Sequence, residues 1–272
     1  MKRAFTKEFS NLHSVNEMRV PSDKLKTDYF RMKRVTKIQT FAAFLLLLFT
    51  TSSCLDELFI EGNGIPRTES RDEEGFDKVA SSGDFKVNIV PGNYYSVEIT
   101  AESNLLPYIS TQVDGHKLKI GTTGIHSLRQ NLPIEVNITT PALKGVSLSG
   151  SGLIQTGSIA GSDFDFNVSG SGDIVSTISC DNVSANISGS GSVTIDGEAE
   201  NTSFVISGSG KIKTYNLVHD QCIATISGSG DMYVNASQSI EARISGSGKV
   251  YYVNHPAIYT SISGSGGVVN KN

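Results

Sequence analysis

The sequence predicts an all-β chain, a right-handed parallel β-helix with coils of about 19 residues and Ser-Gly-Ser-Gly corners. Three observations carry this expectation. The tetrapeptide begins at Ser149, Ser169, Ser188, Ser207, Ser227, Ser245 and Ser263, with spacings of 20, 19, 19, 20, 18 and 18 residues. The residue before it is always aliphatic: Leu148, Val168, Ile187, Ile206, Ile226, Ile244 and Ile262. The second residue after it is always apolar: Ile154, Ile174, Val193, Ile212, Met232, Val250 and Val268. Self-similarity at a short period marks a solenoid, in which each repeat buries its apolar face against its neighbours alone.

Within one repeat the apolar positions alternate. Three residues before the motif stand Val146, Phe166, Ala185, Phe204, Ala224, Ala242 and Thr260, and five before it Phe164, Val183, Cys222, Ile240 and Ile258. Period-two alternation puts these side chains on one face of a strand. A strand therefore enters, Ser-Gly-Ser-Gly turns the corner, and a second strand leaves with its apolar residues pointing inward again. Glycine suits the corner because it reaches positive φ without a Cβ clash, and the serines between can bond locally or ladder from coil to coil. At a strand spacing of ~4.8 Å the seven motifs span roughly 30 Å. A left-handed helix of hexapeptides needs an apolar residue every six positions, a sub-period this chain lacks. Tandem hairpins fit the inward pattern on both sides of the corner less well than a closed coil. Right-handedness follows from the strong bias of parallel crossovers.

Before the repeats the pattern is also β. Phe85 to Ile89 and Tyr95 to Ile99 alternate and flank Pro91-Gly92-Asn93, which predicts a hairpin or corner. Leu105 to Val113 fits a helical turn or a strand. Asp114-Gly115 signals a turn into the strand Lys117–Ile120, and Ile134 to Ile138 alternates once more.

Composition agrees with thin stacked coils: aromatics are 8% of the chain, Trp is absent, and Gly reaches 27 residues against 7 Pro. The net charge of -4 divides unevenly. Residues 1–53 hold 10 Lys/Arg and 4 Asp/Glu, whereas residues 54–272 hold 13 and 23, a net of -10. An acidic body without a basic stripe excludes nucleic acid as a partner, because phosphate binding needs clustered Lys or Arg.

The N-terminus reads as an address. Phe41 to Phe49 is an apolar run of nine residues, preceded by Lys33, Arg34 and Lys37 and followed by Thr50-Thr51-Ser52-Ser53-Cys54. That layout is a secretory signal over 32–53, too short for the ~20 residues of a membrane span. Cys54 after small residues resembles a bacterial lipobox, which makes Cys54 the lipidation site and outer-membrane lipid a partner. Thr51 departs from the usual aliphatic residue, and a soluble secreted protein cut near Ser53 is the alternative. Met32-Lys33-Arg34 makes a conventional signal start, so residues 1–31 read as a mis-assigned start, or else as a cytosolic extension. Residues 54–75, rich in charge, read as a flexible tether; 76–148 form an N-terminal β region and 149–272 the repeat solenoid.

No catalytic constellation, cofactor motif or metal-ligand spacing stands out. Asp163 and Asp165 could share a strand face as paired carboxylates, the arrangement a glycoside hydrolase needs. Asp173, Asp231, Lys211 and Lys249 occupy corner positions and read as solvated residues or as modest ion pairs across coils. Gly-Ser-Gly-Lys at 208–211 and 246–249 lacks the upstream Gly and the following Ser or Thr of a phosphate loop. His116, His126, His219 and His255 read as surface turn residues. Cys180 and Cys222 read as buried apolar fillers, about two coils apart and beyond disulfide reach.

The seven φ-Ser-Gly-Ser-Gly-x-φ units, the lipoprotein-type signal and the closing stretch Lys249-Val-Tyr-Tyr252…His255-Pro256 resemble a known family. It is the putative auto-transporter adhesin, head GIN domain family, and the resemblance runs from Phe76 to Val269. His255 stands where that family usually has Gly. The resemblance implies a pectin-lyase-like β-helix and a role in cell adhesion, and supplies no catalytic or binding residues. Leu55-Asp56-Glu57 looks like the acidic export tag of surface lipoproteins. The expectation is a non-enzymatic, lipid-anchored envelope protein displayed on the outer membrane, with a surface glycan or protein as ligand. A polysaccharide-degrading or carbohydrate-binding β-helix and a periplasmic scaffold are the alternatives.

Overall fold

The structure, a computed structural model, describes residues 59–124 and 127–272. Cys54, the signal and His126 lie outside the described residues. Ten short strands precede the long coils: β1 (Phe59–Glu61), β2 (Pro66–Arg71), β3 (Lys78–Ser82), β4 (Lys86–Pro91), β5 (Ser96–Glu102), β6 (Ile109–Asp114), β7 (Lys117–Thr122), β8 (Ser127–Arg129), β9 (Glu135–Thr140) and β10 (Gly145–Gly150). One 3-10 turn, Leu106–Tyr108, leads into β6. The repeats follow as β11 (Leu153–Gly170), β12 (Asp173–Gly189), β13 (Ser192–Gly208), β14 (Lys211–Gly228), β15 (Asp231–Gly246), β16 (Lys249–Tyr252), β17 (Ala257–Gly264) and β18 (Gly267–Asn270).

Each of β11 to β15 runs a full coil, broken only at the Ser-Gly that ends each motif. Successive coils pair in parallel with the motifs in register, Ser169 beside Ser188 and Ser188 beside Ser207. Parallel pairing excludes tandem hairpins and gives a β-solenoid of about seven turns. The inward residues are those the alternation predicts. Leu148, Val168, Ile187, Ile206, Ile226 and Ile244 are buried on one side of the corner, and Ile154, Ile174, Val193, Ile212, Met232 and Val250 on the other. Burying each such side chain contributes about 1.5–3 kcal/mol. In the last coil Ile262 is 43% exposed where Ile244 is 3%, because among the described residues no further coil covers it.

The two walls meet at a second corner that carries no glycine signature. In β12 the alternation changes phase at Asp181 and Asn182, two consecutive exposed residues, before Val183 resumes the inward set. Here amide side chains ladder along the stack: Asn182 Nδ2 donates to Asp163 at 3.0 Å, and Asn201 Nδ2 to Asn182 Oδ1 at 3.2 Å.

The Ser-Gly-Ser-Gly corner requires glycine twice, for different reasons. The first glycine of each motif has φ between +117° and +139°, a region open to few L residues. At Gly150, Gly170, Gly208 and Gly228 its carbonyl accepts two N–H groups of the next coil, as Gly150 O does from Ser171 and Gly172, both at 2.9 Å. Coils approach so closely that a Cβ on Gly208 would stand 2.5 Å from Gly189 O. The second glycine meets the same limit, since a Cβ on Gly210 would stand 2.8 Å from Gly191 O. The serine ladder is mostly backbone; side-chain hydroxyls meet at Ser247 and Ser265, 3.0 Å apart.

The N-terminal region extends the same two walls out of sequence order. β10 lies between β3 and β11, and β4 between β9 and β11, all parallel. Gly83 N–H donates to Ser149 O at 2.9 Å, and Gly83 has φ +139°. Ser82-Gly83-Asp84-Phe85 is thus an eighth, degenerate corner joining β3 to β4. β9 lies between β4 and β5, parallel to one and antiparallel to the other, so at Pro91-Gly92-Asn93 the chain reverses within one wall across β9, forming neither a tight hairpin nor a corner. The Asp114-Gly115 turn does close a hairpin, with Asp114 opposite Lys117 between β6 and β7.

The flexible-tether reading of 54–75 is corrected for its described part. β2 pairs antiparallel with β5, and β1 pairs with β8. The segment lacks an apolar core of its own, so nothing in its composition signals order; Glu102 supplies the hold. This fully buried carboxylate accepts N–H groups from Gly64 at 2.5 Å, Asn131 at 2.8 Å and Leu132 at 3.4 Å. Burial pushes its pKa up, but these bonds outweigh that and leave it lowered.

Two glycines at positive φ separate strain from crowding. Gly208→Ala is expected to cost roughly 3 kcal/mol, from forced φ and backbone overlap together. Gly115→Ala, at φ +61° with open space around it, should cost only about 1 kcal/mol. Urea unfolding midpoints of the two variants check the difference.

Candidate functional site

The residues singled out in the sequence do not assemble into a reactive centre. Asp163 and Asp165 share the outer face of β11, but each is taken up by its neighbours. Asp163 accepts from Asn182 at 3.0 Å; Asp165 accepts from Ser184 at 2.7 Å and pairs with Lys78 at 3.2 Å. Burial raises the Asp165 pKa, and the bonds from Ser184 and Lys78 more than offset it. At the corners, Asp173 takes the Ser192 hydroxyl at 2.6 Å and Asp231 the Lys249 backbone N–H at 3.2 Å. No ion pair joins Lys211, Asp231 and Lys249, so cross-coil pairing at the corners runs through hydroxyl and amide donors. Among the described residues no group of three or more His, Cys, Asp or Glu could hold a metal ion.

Cys180 and Cys222 are free and buried, as their small size and spacing predict. Burial pushes the Cys222 thiol up to about 12, which keeps it protonated and inert. His116 and His255 are exposed turn residues. His219 is a correction: it is 1% exposed and points into the core. It falls on an inward position of β14, between Ala199 and Ala236 in the neighbouring coils, whose small side chains leave room for the ring. Its Nδ1 lies 3.1 Å from Leu217 O, Phe204 packs edge-on at 6.2 Å, and Nε2 has no hydrogen-bond partner.

The outer surface carries a groove that the repeat pattern does not announce, and it arises from unequal coil lengths. The motif spacing is 20 residues from Ser207 to Ser227 but 18 from Ser227 to Ser245. The surplus is absorbed in β14, where pairing with β15 skips from Thr214 to Val218 while β15 passes directly from Val234 to Asn235. Such a bulge re-aims side chains and bends the strand. The freed Tyr215 carbonyl is satisfied by Asn235 Nδ2 at 2.8 Å, and Thr214 Oγ1 donates to Tyr233 O at 2.8 Å. The result is an open groove of about 350 Å³ lined by Thr194, Asp196, Lys213, Tyr215, Asn216 and Tyr233.

Tyrosines build one side of this groove. Tyr215 meets Tyr233 edge to face at 5.5 Å, and Tyr251 stacks on Tyr233 at 5.1 Å and 16°. Lys271 caps the row 5.3 Å from the Tyr251 ring. Partial burial, with the neighbouring tyrosines and Asp231, pushes the Tyr215 and Tyr233 hydroxyls up, so both stay protonated donors at neutral pH. Among the described residues Lys213 and Asp196 form no ion pair, and both line the groove. The available signal was the 20-residue spacing together with Tyr at 215, 233 and 251, at steps of 18.

His219 gives a measurable pH dependence. Burial lowers its pKa from 6.5 to about 4. The unfolded chain therefore binds the proton first as pH falls, and stability drops from about pH 6.5 down to about pH 4. Between pH 7.5 and 4.5, His219→Gln should lose roughly 2 kcal/mol less stability than the unmodified chain, as urea midpoints would report.

Comparisons place this architecture. No curated protein matches the chain. A crystal structure of a "putative adhesin" from Bacteroides fragilis NCTC 9343 superposes with a TM-score of 0.71 at 22% identity, covering 78% of this chain and 100% of that one. A "putative lipid binding protein" from Parabacteroides distasonis ATCC 8503 gives 0.67 at 25% identity, covering 79% and 100%. A "putative adhesin" from Parabacteroides merdae ATCC 43184 gives 0.65 at 20%, covering 79% and 99%. The family model matches residues 75–256, from the last residue before Phe76 to Pro256, and so takes in six of the seven motifs. The chain belongs to the family described as "Putative auto-transporter adhesin, head GIN domain".

Proposed function

We propose that the chain is a non-enzymatic adhesin, anchored in the outer membrane by lipid on Cys54 and displayed on the cell surface. The observation that carries this reading is how the coils use their polar groups. Asp163, Asp165 and Asp173 are engaged by neighbouring coils, so the candidate acids serve the stack. What the solenoid offers to solvent is a long ladder of short polar side chains, interrupted by the tyrosine groove. Such a surface suits recognition by contact. Family membership supports adhesion, and the Phe41–Phe49 run followed by Cys54 supports export and anchoring. A surface glycan or protein is the ligand class.

Protease treatment of intact cells tests display: digestion of the solenoid is expected, and full protection would place it on the periplasmic side and overturn the surface reading. Cys54→Ala should release the protein from the membrane fraction, and continued retention would contradict lipid anchoring. Purified protein should turn over no polysaccharide. Turnover lost in Asp163→Asn or Asp165→Asn would make it an enzyme.

A further inference from the structure

The groove beside Tyr233 has the features of a built site. It exists because a 20-residue coil stacks on an 18-residue one, and the bulge this forces is stabilised by two specific bonds, from Asn235 and Thr214. A bulge held in this way is a designed feature, and bulges cluster next to functional sites. The groove combines aromatic carbon with a few convergent polar groups, the composition of small-ligand sites. Phenol rings offer apolar faces with a polar tip. Lys213 supplies a cation and Asp196 an anion, neither of them in an ion pair among the described residues, with Thr194 and Asn216 as neutral partners.

We propose that this groove binds a neutral oligosaccharide, one pyranose face lying against the tyrosine rings while Lys213 and Asp196 hydrogen-bond its hydroxyls. A pyranose has one face of C–H groups and a rim of hydroxyls that both donate and accept. The apolar face matches the rings, and the rim matches a cation and a carboxylate lining the same groove. A polyanionic glycan would meet Asp196 and the acidic body of the protein, whose residues 54–272 carry a net charge of -10. An apolar lipid tail would leave Lys213 and Asp196 desolvated without partners, which is costly. The ligand class rests on the adhesin reading and narrows it to a sugar surface, with the contact made by three coils.

The absence of Trp makes tyrosine emission a direct reporter. Full-length protein, purified in a detergent without a sugar headgroup, would be titrated with β-1,4-glucan, β-1,4-mannan and α-1,4-glucan hexaoses. Hexagalacturonate serves as the acidic comparator. Saturable quenching by at least one neutral hexaose is expected, with weaker binding of hexagalacturonate. Tyr233→Ala should weaken binding about tenfold or more, while Tyr233→Phe keeps most of it. Lys213→Met and Asp196→Asn, both at the groove opening and outside the core, should each weaken it several-fold even if Tyr233→Ala fails to fold. Tyr259→Ala, at an exposed position outside the groove, should leave it unchanged. No saturation by any neutral hexaose, binding indifferent to all three groove positions, or preference for hexagalacturonate would each overturn the proposal. These readouts use purified protein, so they are independent of protease protection in cells: a protected protein that binds sugar fails only the display reading.

Discussion

The structure depends on how closely one glycine backbone approaches the next at the Ser-Gly-Ser-Gly corner. A single carbonyl there receives two N–H groups from the coil above, and no Cβ can occupy the space between. That contact fixes the register of both walls, because the residues before and after the corner are one and two steps from it. A slip of one residue would turn every inward aliphatic outward. The corner is thus the clamp, and the Val, Ile, Leu and Phe core is what the clamp aligns. The second corner keeps its backbone pairing but adds a ladder of Asp and Asn side chains, and it takes up an extra residue in β15, where Ala236 to Ser239 lies opposite His219 to Gln221.

This difference between corners places the irregularities of the fold away from the glycine corner, on the outside of the solenoid. Extra residues cannot be taken up at the glycine corner, so they appear as bulges within the wall or toward the second corner. The bulge at Tyr215 to Leu217 is one of these, and it separates Tyr215 from the regular row and opens the groove. The stack supplies rigidity, while its irregularities supply shape. Lys213 and Asp196 differ from the other outward charges in lining this groove together with Tyr215 and Tyr233.

The N-terminal end shows how a parallel stack is finished. Beyond β4 and β10 the chain reverses: β5 and β6 run antiparallel to β9 and β7, and β2 is antiparallel again with Arg67, Glu69 and Arg71 along it. A charged strand opening with Pro66 is a poor template for further pairing, which protects the sheet edge. Glu102, buried and bonded to three backbone N–H groups, ties the loops of this end together.

The sequence by itself determined the coil. The motif spacing, the aliphatic residue before it and the apolar residue two after it are local and periodic, and periodicity survives in one dimension. It also determined the inert, buried character of Cys180 and Cys222, from size and spacing. Tertiary structure alone decided what depends on residues distant in sequence or outside the period. Ser82-Gly83-Asp84-Phe85 functions as a corner only because β3 stacks on β10, more than sixty residues away. His219 looks like a surface turn residue until Ala199 and Ala236 are placed on either side of it. The order of residues 59–71 came from Glu102 and from strand partners downstream, since the segment has no apolar pattern of its own. The groove came from a mismatch between adjacent coils, and such a mismatch takes on shape only when one coil is laid upon the next.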